Sequence, residues 1–235
     1  MYSEAEGHFL RALNIKKSVG DERSHPVEFA EAYKNLAIVR LAEGNSSVAI
    51  SLMTQALKLV KSEYDENTAI IQQNRFHLAA ILCNSGQYDE ALEESLSILR
   101  IRVELFGEKG LPTLNSFYAL GMMYYLLGKY GLAEEALTAS LASLDISRWQ
   151  PECITRAKYL LSQVLFGLNK TQEAAALEKE ARVSLETFLS AYAPLLHAAW
   201  HSGTITDELM LYDHLVSIHC GRYTIGKLAI CCEKP

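Results

Sequence analysis

Apolar residues recur along this chain at three- and four-residue spacing, in stretches punctuated by single glycines. Phe29, Tyr33, Leu36, Ala37 and Leu41 form one such stretch. Ala49, Leu52, Met53, Ala56 and Leu57 form the next. Each marks one face of an amphipathic helix. Gly44 lies between them, where a turn that needs positive φ would end the first helix and release the second. The pattern therefore predicts a helical hairpin.

The hairpin recurs. Gly44, Gly86 and Gly128 stand 42 residues apart, and Asn169 follows 41 later. Ala49, Ala91, Ala133 and Ala174 keep the same steps, as do Leu36, Leu78, Leu120 and Leu161. A small residue follows each of those leucines: Ala37, Ala79, Gly121 and Ser162. Short side chains at these columns suit the close crossing of two antiparallel helices. Pro26, Pro112 and Pro151 precede three of the first helices, where a missing N–H costs nothing. One hairpin cannot bury its own apolar face, so a stack of copies is expected.

The predicted organisation has three parts. Residues 1–25 read as a leading half-repeat, because Ala5, Ala12 and Leu13 match Ala49, Ala56 and Leu57. Tyr2 to about Lys17 is then a second helix without its first. Four repeats follow, at about 26–66, 67–110, 111–150 and 151–188. Residues 189–235 hold capping helices and a tail. Leu185 to Ala199 reads as helix interrupted near Pro194, and Thr206 to Ile218 reads as another, capped by Thr206 or Asp207. Ile225 to Pro235 reads as a loose end.

These motifs resemble the tetratricopeptide repeat. Its Gly-x-Tyr-x-x-Ala turn is met by Gly86-Gln87-Tyr88-Asp89-Glu90-Ala91 and by Gly128-Lys129-Tyr130-Gly131-Leu132-Ala133. The 42-residue period, and Ala32-Tyr33-Lys34-Asn35-Leu36-Ala37 after His25-Pro26, resemble the kinesin-light-chain variety. Asn169 and Thr171 depart from the turn pattern in the fourth copy. The resemblance runs from residue 2 to about 188. The stretch from Leu211 to Thr224 is similar to a tail seen after such repeats in fungal proteins of unassigned function. The resemblance implies an all-α, right-handed α-solenoid of helix-turn-helix repeats with a C-terminal helical cap.

It also implies a function: a non-catalytic adaptor that binds a protein or peptide partner in a concave groove lined by the first helices. The groove positions carried over are Lys34 in the first copy and Gln73, Phe76 and Asn84 in the second. The third copy supplies Asn115, Tyr118, Met122 and Tyr125, and the fourth Arg156, Tyr159, Gln163 and Phe166. One column, Lys34, Phe76, Tyr118 and Tyr159, is aromatic in three of four copies. Such aromatics either present contact area to a partner or pack between repeats. Under the first reading, Tyr118→Ala with Tyr159→Ala removes binding and spares the fold. The groove is aromatic and polar, and Lys34 and Arg156 alone do not make a carboxylate clamp. Two alternatives stand beside the adaptor: a homo-oligomer formed through residues 2–17, and a shortened or inactive member of a larger repeat family.

Charge and composition narrow the classes further. The net charge of −6, from 28 acidic and 22 basic side chains, argues against tracking nucleic acid phosphates. The polar, acidic start Met-Tyr-Ser-Glu-Ala-Glu lacks signal-peptide features. The longest nearly apolar run, Tyr118 to Leu127, is too short to span a bilayer. Five irregularly spaced cysteines read as cytoplasmic thiols and not as a disulfide framework. No Gly-rich phosphate loop, nucleophile elbow or paired-carboxylate motif supports an enzyme. Cys232 stands fourth from the end, but the aliphatic positions of a prenylation box are not met.

No cofactor is expected. His197 and His201 have metal-ligand spacing, but Ala198 stands where a zinc protease needs Glu. Two ligands do not complete a tetrahedral site, so they read as a structural or surface pair. His214, His219, Cys220, Cys231 and Cys232 lack the Cys-x-x-Cys spacing of a zinc site.

Overall fold

A computed structural model describes residues 2–142 and 150–216 of the chain. All eleven regular elements among them are helices: α1 (Tyr2–Val19), α2 (Pro26–Ala42), α3 (Ser46–Lys61), α4 (Ala69–Asn84), α5 (Tyr88–Phe106), α6 (Leu111–Leu126), α7 (Tyr130–Leu141), α8 (Pro151–Gly167), α9 (Thr171–Tyr192), α10 (Pro194–His201) and α11 (Glu208–His214). None is long and apolar enough to cross a membrane. The chain divides after Gly107 into two compact units. In the first, α2 pairs with α3 and α4 with α5; α3 packs on α4, and α1 on α2. In the second, α6 pairs with α7 and α8 with α9, α7 packs on α8, α10 packs on α9, and α11 packs on α8.

The recurring columns explain the hairpins. Gly44, Gly86 and Gly128 adopt φ of 83°, 79° and 69°, and Asn169 adopts 61°. All four close the same pair of bonds. The Gly44 N–H donates to the Leu41 carbonyl and the Asn45 N–H to that of Arg40, at 2.9 and 2.8 Å. Gly86 and Gln87, Gly128 and Lys129, and Asn169 and Lys170 repeat this arrangement. It is a Schellman motif, in which a left-handed residue lets two terminal carbonyls find donors. Asn replaces Gly in the fourth copy because its short polar side chain tolerates that region.

The small-residue columns are fully buried. Ala37, Ala79 and Ser162 in the first helices, and Ala49, Ala91, Ala133 and Ala174 in the second, have no exposed surface. Gly121 shows how tight the crossing is: a Cβ there would lie 2.5 Å from Leu137 Cγ on α7. Pro26 and Pro151 occupy the first position of α2 and α8, and Pro112 the second of α6.

Beyond the repeats, α9 runs to Tyr192, and Pro194 opens α10 after a break at Ala193. The final described helix begins at Glu208. Its cap is Asp207, whose carboxylate accepts from the Met210 N–H at 3.1 Å. Leu185 and Leu189 of α9, Ile205, and Leu211 and Tyr212 of α11 form a buried cluster around Tyr159. This cluster makes the C-terminal helices a cap on the last hairpin. The expected loose end at 225–235, with Cys220, Cys231, Cys232 and His219, lies outside the described residues.

Candidate protein-binding face

The first helix of each hairpin carries the predicted groove column, and the structure places that column inside. In the first unit Lys34 is buried and pairs with Glu31 at 2.6 Å. Phe76 is buried beneath the Arg102 guanidinium, which stands 4.3 Å over its ring. Arg102 also donates to the Gln73 side chain at 3.2 Å. Asn84 turns inward on α4 and donates to the Ala80 carbonyl. Of this unit's groove residues, Gln73 and Asn84 retain partial exposure.

The second unit repeats the arginine-over-aromatic arrangement with an added carboxylate. Tyr118 is fully buried, and the Arg156 guanidinium lies 3.9 Å over its ring. Arg156 donates to Asp213 Oδ1 at 2.9 Å, and neither side chain has any exposed surface. The Tyr118 hydroxyl reaches the same oxygen at 3.4 Å. Burial, and then the Asp213 charge, push the Tyr118 hydroxyl well above its ordinary pKa, so it stays a neutral donor. One residue earlier on α11, Tyr212 stacks on Tyr159 with centroids 3.9 Å apart and planes 13° from parallel. Helix α11 thus lies across α8 and covers the positions at which Tyr118, Arg156 and Tyr159 were expected to face a partner. Met122 is buried as well.

An open part of that face remains. Tyr125, Tyr159 and Gln163 line a cleft of about 690 Å³ with Trp200, Asp207 and Glu208. Glu208 organises it, accepting from Arg182 at 2.7 Å, from the Tyr159 hydroxyl at 3.2 Å and from Trp200 Nε1 at 3.3 Å. Burial and then the Glu208 charge raise the Tyr159 hydroxyl, so it stays a neutral donor. Asn115 is half-buried on α6 and Phe166 is exposed near the end of α8; neither lines this cleft.

Three contributors were not singled out from sequence. Asp213 and Tyr212 belong to the face just described. Glu186 is the third: it stands on α9 against the two histidines of α10. His197 Nε2 lies 2.6 Å from Glu186 Oε1, and His201 Nε2 lies 3.1 Å from Glu186 Oε2. The two Nε2 atoms are 3.1 Å apart. Hydrogen bonding to His197, foremost, holds the Glu186 carboxyl below its ordinary pKa.

The comparisons fit this architecture. The family model for the tetratricopeptide repeat matches residues 67–145. BtubC (BKLC) from P. vanneervenii is similar in structure, with a TM-score of 0.65 at 20% identity over 78% of this chain and 72% of that one. A putative kinesin light chain of Podosopora anserina with nearly identical TPR-like repeats gives 0.63 at 19% identity, over 80% of this chain and 89% of that one. A Rap protein complexed with competence and sporulation factor gives 0.66 at 18% identity, over 94% of this chain and 64% of that one. No curated protein matches the chain in sequence. The class is thus an all-α helix-turn-helix repeat protein. Residues 67–145 match the tetratricopeptide repeat, and the fold is similar to that of the kinesin-light-chain repeats of Podosopora anserina.

Proposed function

We propose that the chain is a non-catalytic adaptor that takes a segment of a protein partner on the first-helix face of its repeats. In the second unit the entry point is the cleft at Tyr125, Tyr159 and Gln163. The observation that carries this reading is the seating of α11. A short helix bearing Tyr212 and Asp213 stacks its ring on Tyr159 and sets its carboxylate on Arg156. A face that holds one helical segment with an aromatic and an acid has the chemistry to hold another beside it. The cleft continues that face, offers Trp200 and Tyr125 as rigid contact area, and carries polar groups for orientation. One structural neighbour, the Rap protein, is complexed with a factor of its own.

The test uses Tyr125→Ala with Gln163→Ala in the full chain. Both residues are only half-buried, so the fold should persist. Aromatic anchors are worth about 2 kcal/mol or more, hence at least a tenfold loss of affinity. In affinity purification with mass spectrometry, the partners recovered by wild type should be depleted by the double variant. An unchanged set of partners overturns the assignment of this cleft.

A second reading is self-association through α1. Leu10, Ile15 and Val19 on that helix are exposed, Val19 at 80%. Light scattering should then show a dimer that Ile15→Glu with Val19→Glu dissociates. A wild-type monomer at high concentration rules this reading out.

A further inference from the structure

We propose that Glu186, His197 and His201 form a binding site for one divalent transition-metal cation, zinc foremost, which fastens α10 to α9. His197 and His201 are four residues apart on α10, so both imidazoles leave the same face one turn apart. Glu186 meets them from α9, eleven residues before His197. The three groups each offer one ligand atom, all within 4.8 Å of one another. Two histidines and one carboxylate, from two helices, make a three-point set that neither helix could supply alone.

The separations suit an ion. Zinc binds histidine nitrogen at about 2.0–2.1 Å and carboxylate oxygen at about 2.0–2.2 Å. Ligand atoms at those radii lie roughly 3 Å apart for bond angles between octahedral and tetrahedral. Here the separations are 3.1 Å between the nitrogens, and 2.6 and 3.3 Å from Glu186 Oε1 to the His197 and His201 nitrogens. Small side-chain rotations admit the ion without moving either helix. The donor set also selects among cations. Two imidazole nitrogens suit Zn²⁺, Co²⁺, Ni²⁺ and Cu²⁺, whereas Mg²⁺ and Ca²⁺ prefer all-oxygen shells. Glu186 and His201 are about half exposed, at 45% and 55% of their side chains. Entry from solvent is therefore open, and water completes the shell.

The site has a structural task to perform. Helix α10 is eight residues long and contains no fully buried residue, and it follows a helix break at Ala193. Leu196, Ala199 and Trp200 pack against the C-terminal cluster only as partly buried residues. An ion bound to both helices would fix the start of the C-terminal cap, whose later residues cover Tyr118 and Arg156.

The test is titration of the full chain, freed of metal with a chelator, against ZnCl₂ and CoCl₂. Binding of a single ion and a zinc-dependent rise in Tm are expected. Bound Co²⁺ should give weak visible bands without near-ultraviolet thiolate charge transfer. His201→Gln and Glu186→Gln should each weaken binding by at least the roughly 10–100-fold that even an outer-shell partner is worth. The metal-free Tm of His201→Gln should stay at the wild-type value, which separates ligand loss from misfolding. Serine at Cys220, Cys231 and Cys232 together should leave affinity unchanged. The proposal is overturned if wild type binds no zinc at micromolar concentration, if His201→Gln binds as wild type does, or if the cysteine variant is the one that loses the ion.

Discussion

Asp213→Ala should lower the stability of the second unit by about 3–5 kcal/mol, the usual result of removing one partner from a buried ion pair. Desolvation sets the size of this loss. Arg156 has lost all contact with solvent, and Asp213, equally buried, meets it at 2.9 Å. Removing the carboxylate takes the Asp213 charge away from a guanidinium that stays desolvated. The exposed pair Lys158–Glu180 forms the contrast: at 33% and 61% exposure, solvent screens it, and its loss should cost at most about 1 kcal/mol. A small domain is stable by only about 5–15 kcal/mol, so Asp213→Ala would remove a large share of the total. Urea unfolding followed by circular dichroism measures the loss, and hydrogen exchange would show whether α11 opens first. Arg156→Met with Asp213→Leu should recover most of it, because a well-packed apolar pair carries no desolvation cost. An Asp213→Ala change no larger than that of Lys158→Ala would show that water reaches the pair.

The repeats were legible because one local requirement recurs. Every hairpin needs a left-handed residue at its turn and small residues at its crossing, and the chain states both at a fixed period. Gly44, Gly86, Gly128 and Asn169 all take positive φ, and the small columns are all buried. Proline and capping signals also located the interruption near Pro194 and offered Thr206 or Asp207 as the cap of the last helix, a role that Asp207 takes. None of these signals could reveal what lies over the first-helix column. That depends on α11, whose Asp213 is 57 residues beyond Arg156 and reads locally as an ordinary acid on a short amphipathic helix. The same limit hid Glu186. On α9 it stands at a solvent-facing position, and only the turn at Ala193 and Pro194 brings α10 back beside it. In both cases the missing information is tertiary: which polar group a later helix delivers.

Tyr118→Ala with Tyr159→Ala now has a different expected outcome from selective loss of a partner: the second unit should lose its cooperative fold. Tyr118 is fully buried and Tyr159 is only 7% exposed. Truncating a large buried aromatic to alanine costs about 3–5 kcal/mol, as lost transfer energy plus an unfilled cavity. The two costs should not add simply, since both rings contact α11, Tyr118 through Asp213 and Tyr159 through Tyr212. Conservative variants separate packing from polarity. Tyr118→Phe keeps the ring under Arg156 and removes one donor to Asp213, a loss of about 1 kcal/mol. Tyr159→Phe keeps the stack on Tyr212 and removes the donor to Glu208. Thermal melting of these variants, set beside Tyr125→Ala with Gln163→Ala, distinguishes the two roles. Residues beneath α11 should change stability, whereas cleft residues should change binding at nearly constant Tm. If the Tyr118 and Tyr159 double alanine variant melts as wild type does, then α11 does not cover the column in solution, and the first-helix face of the second unit is available to a partner.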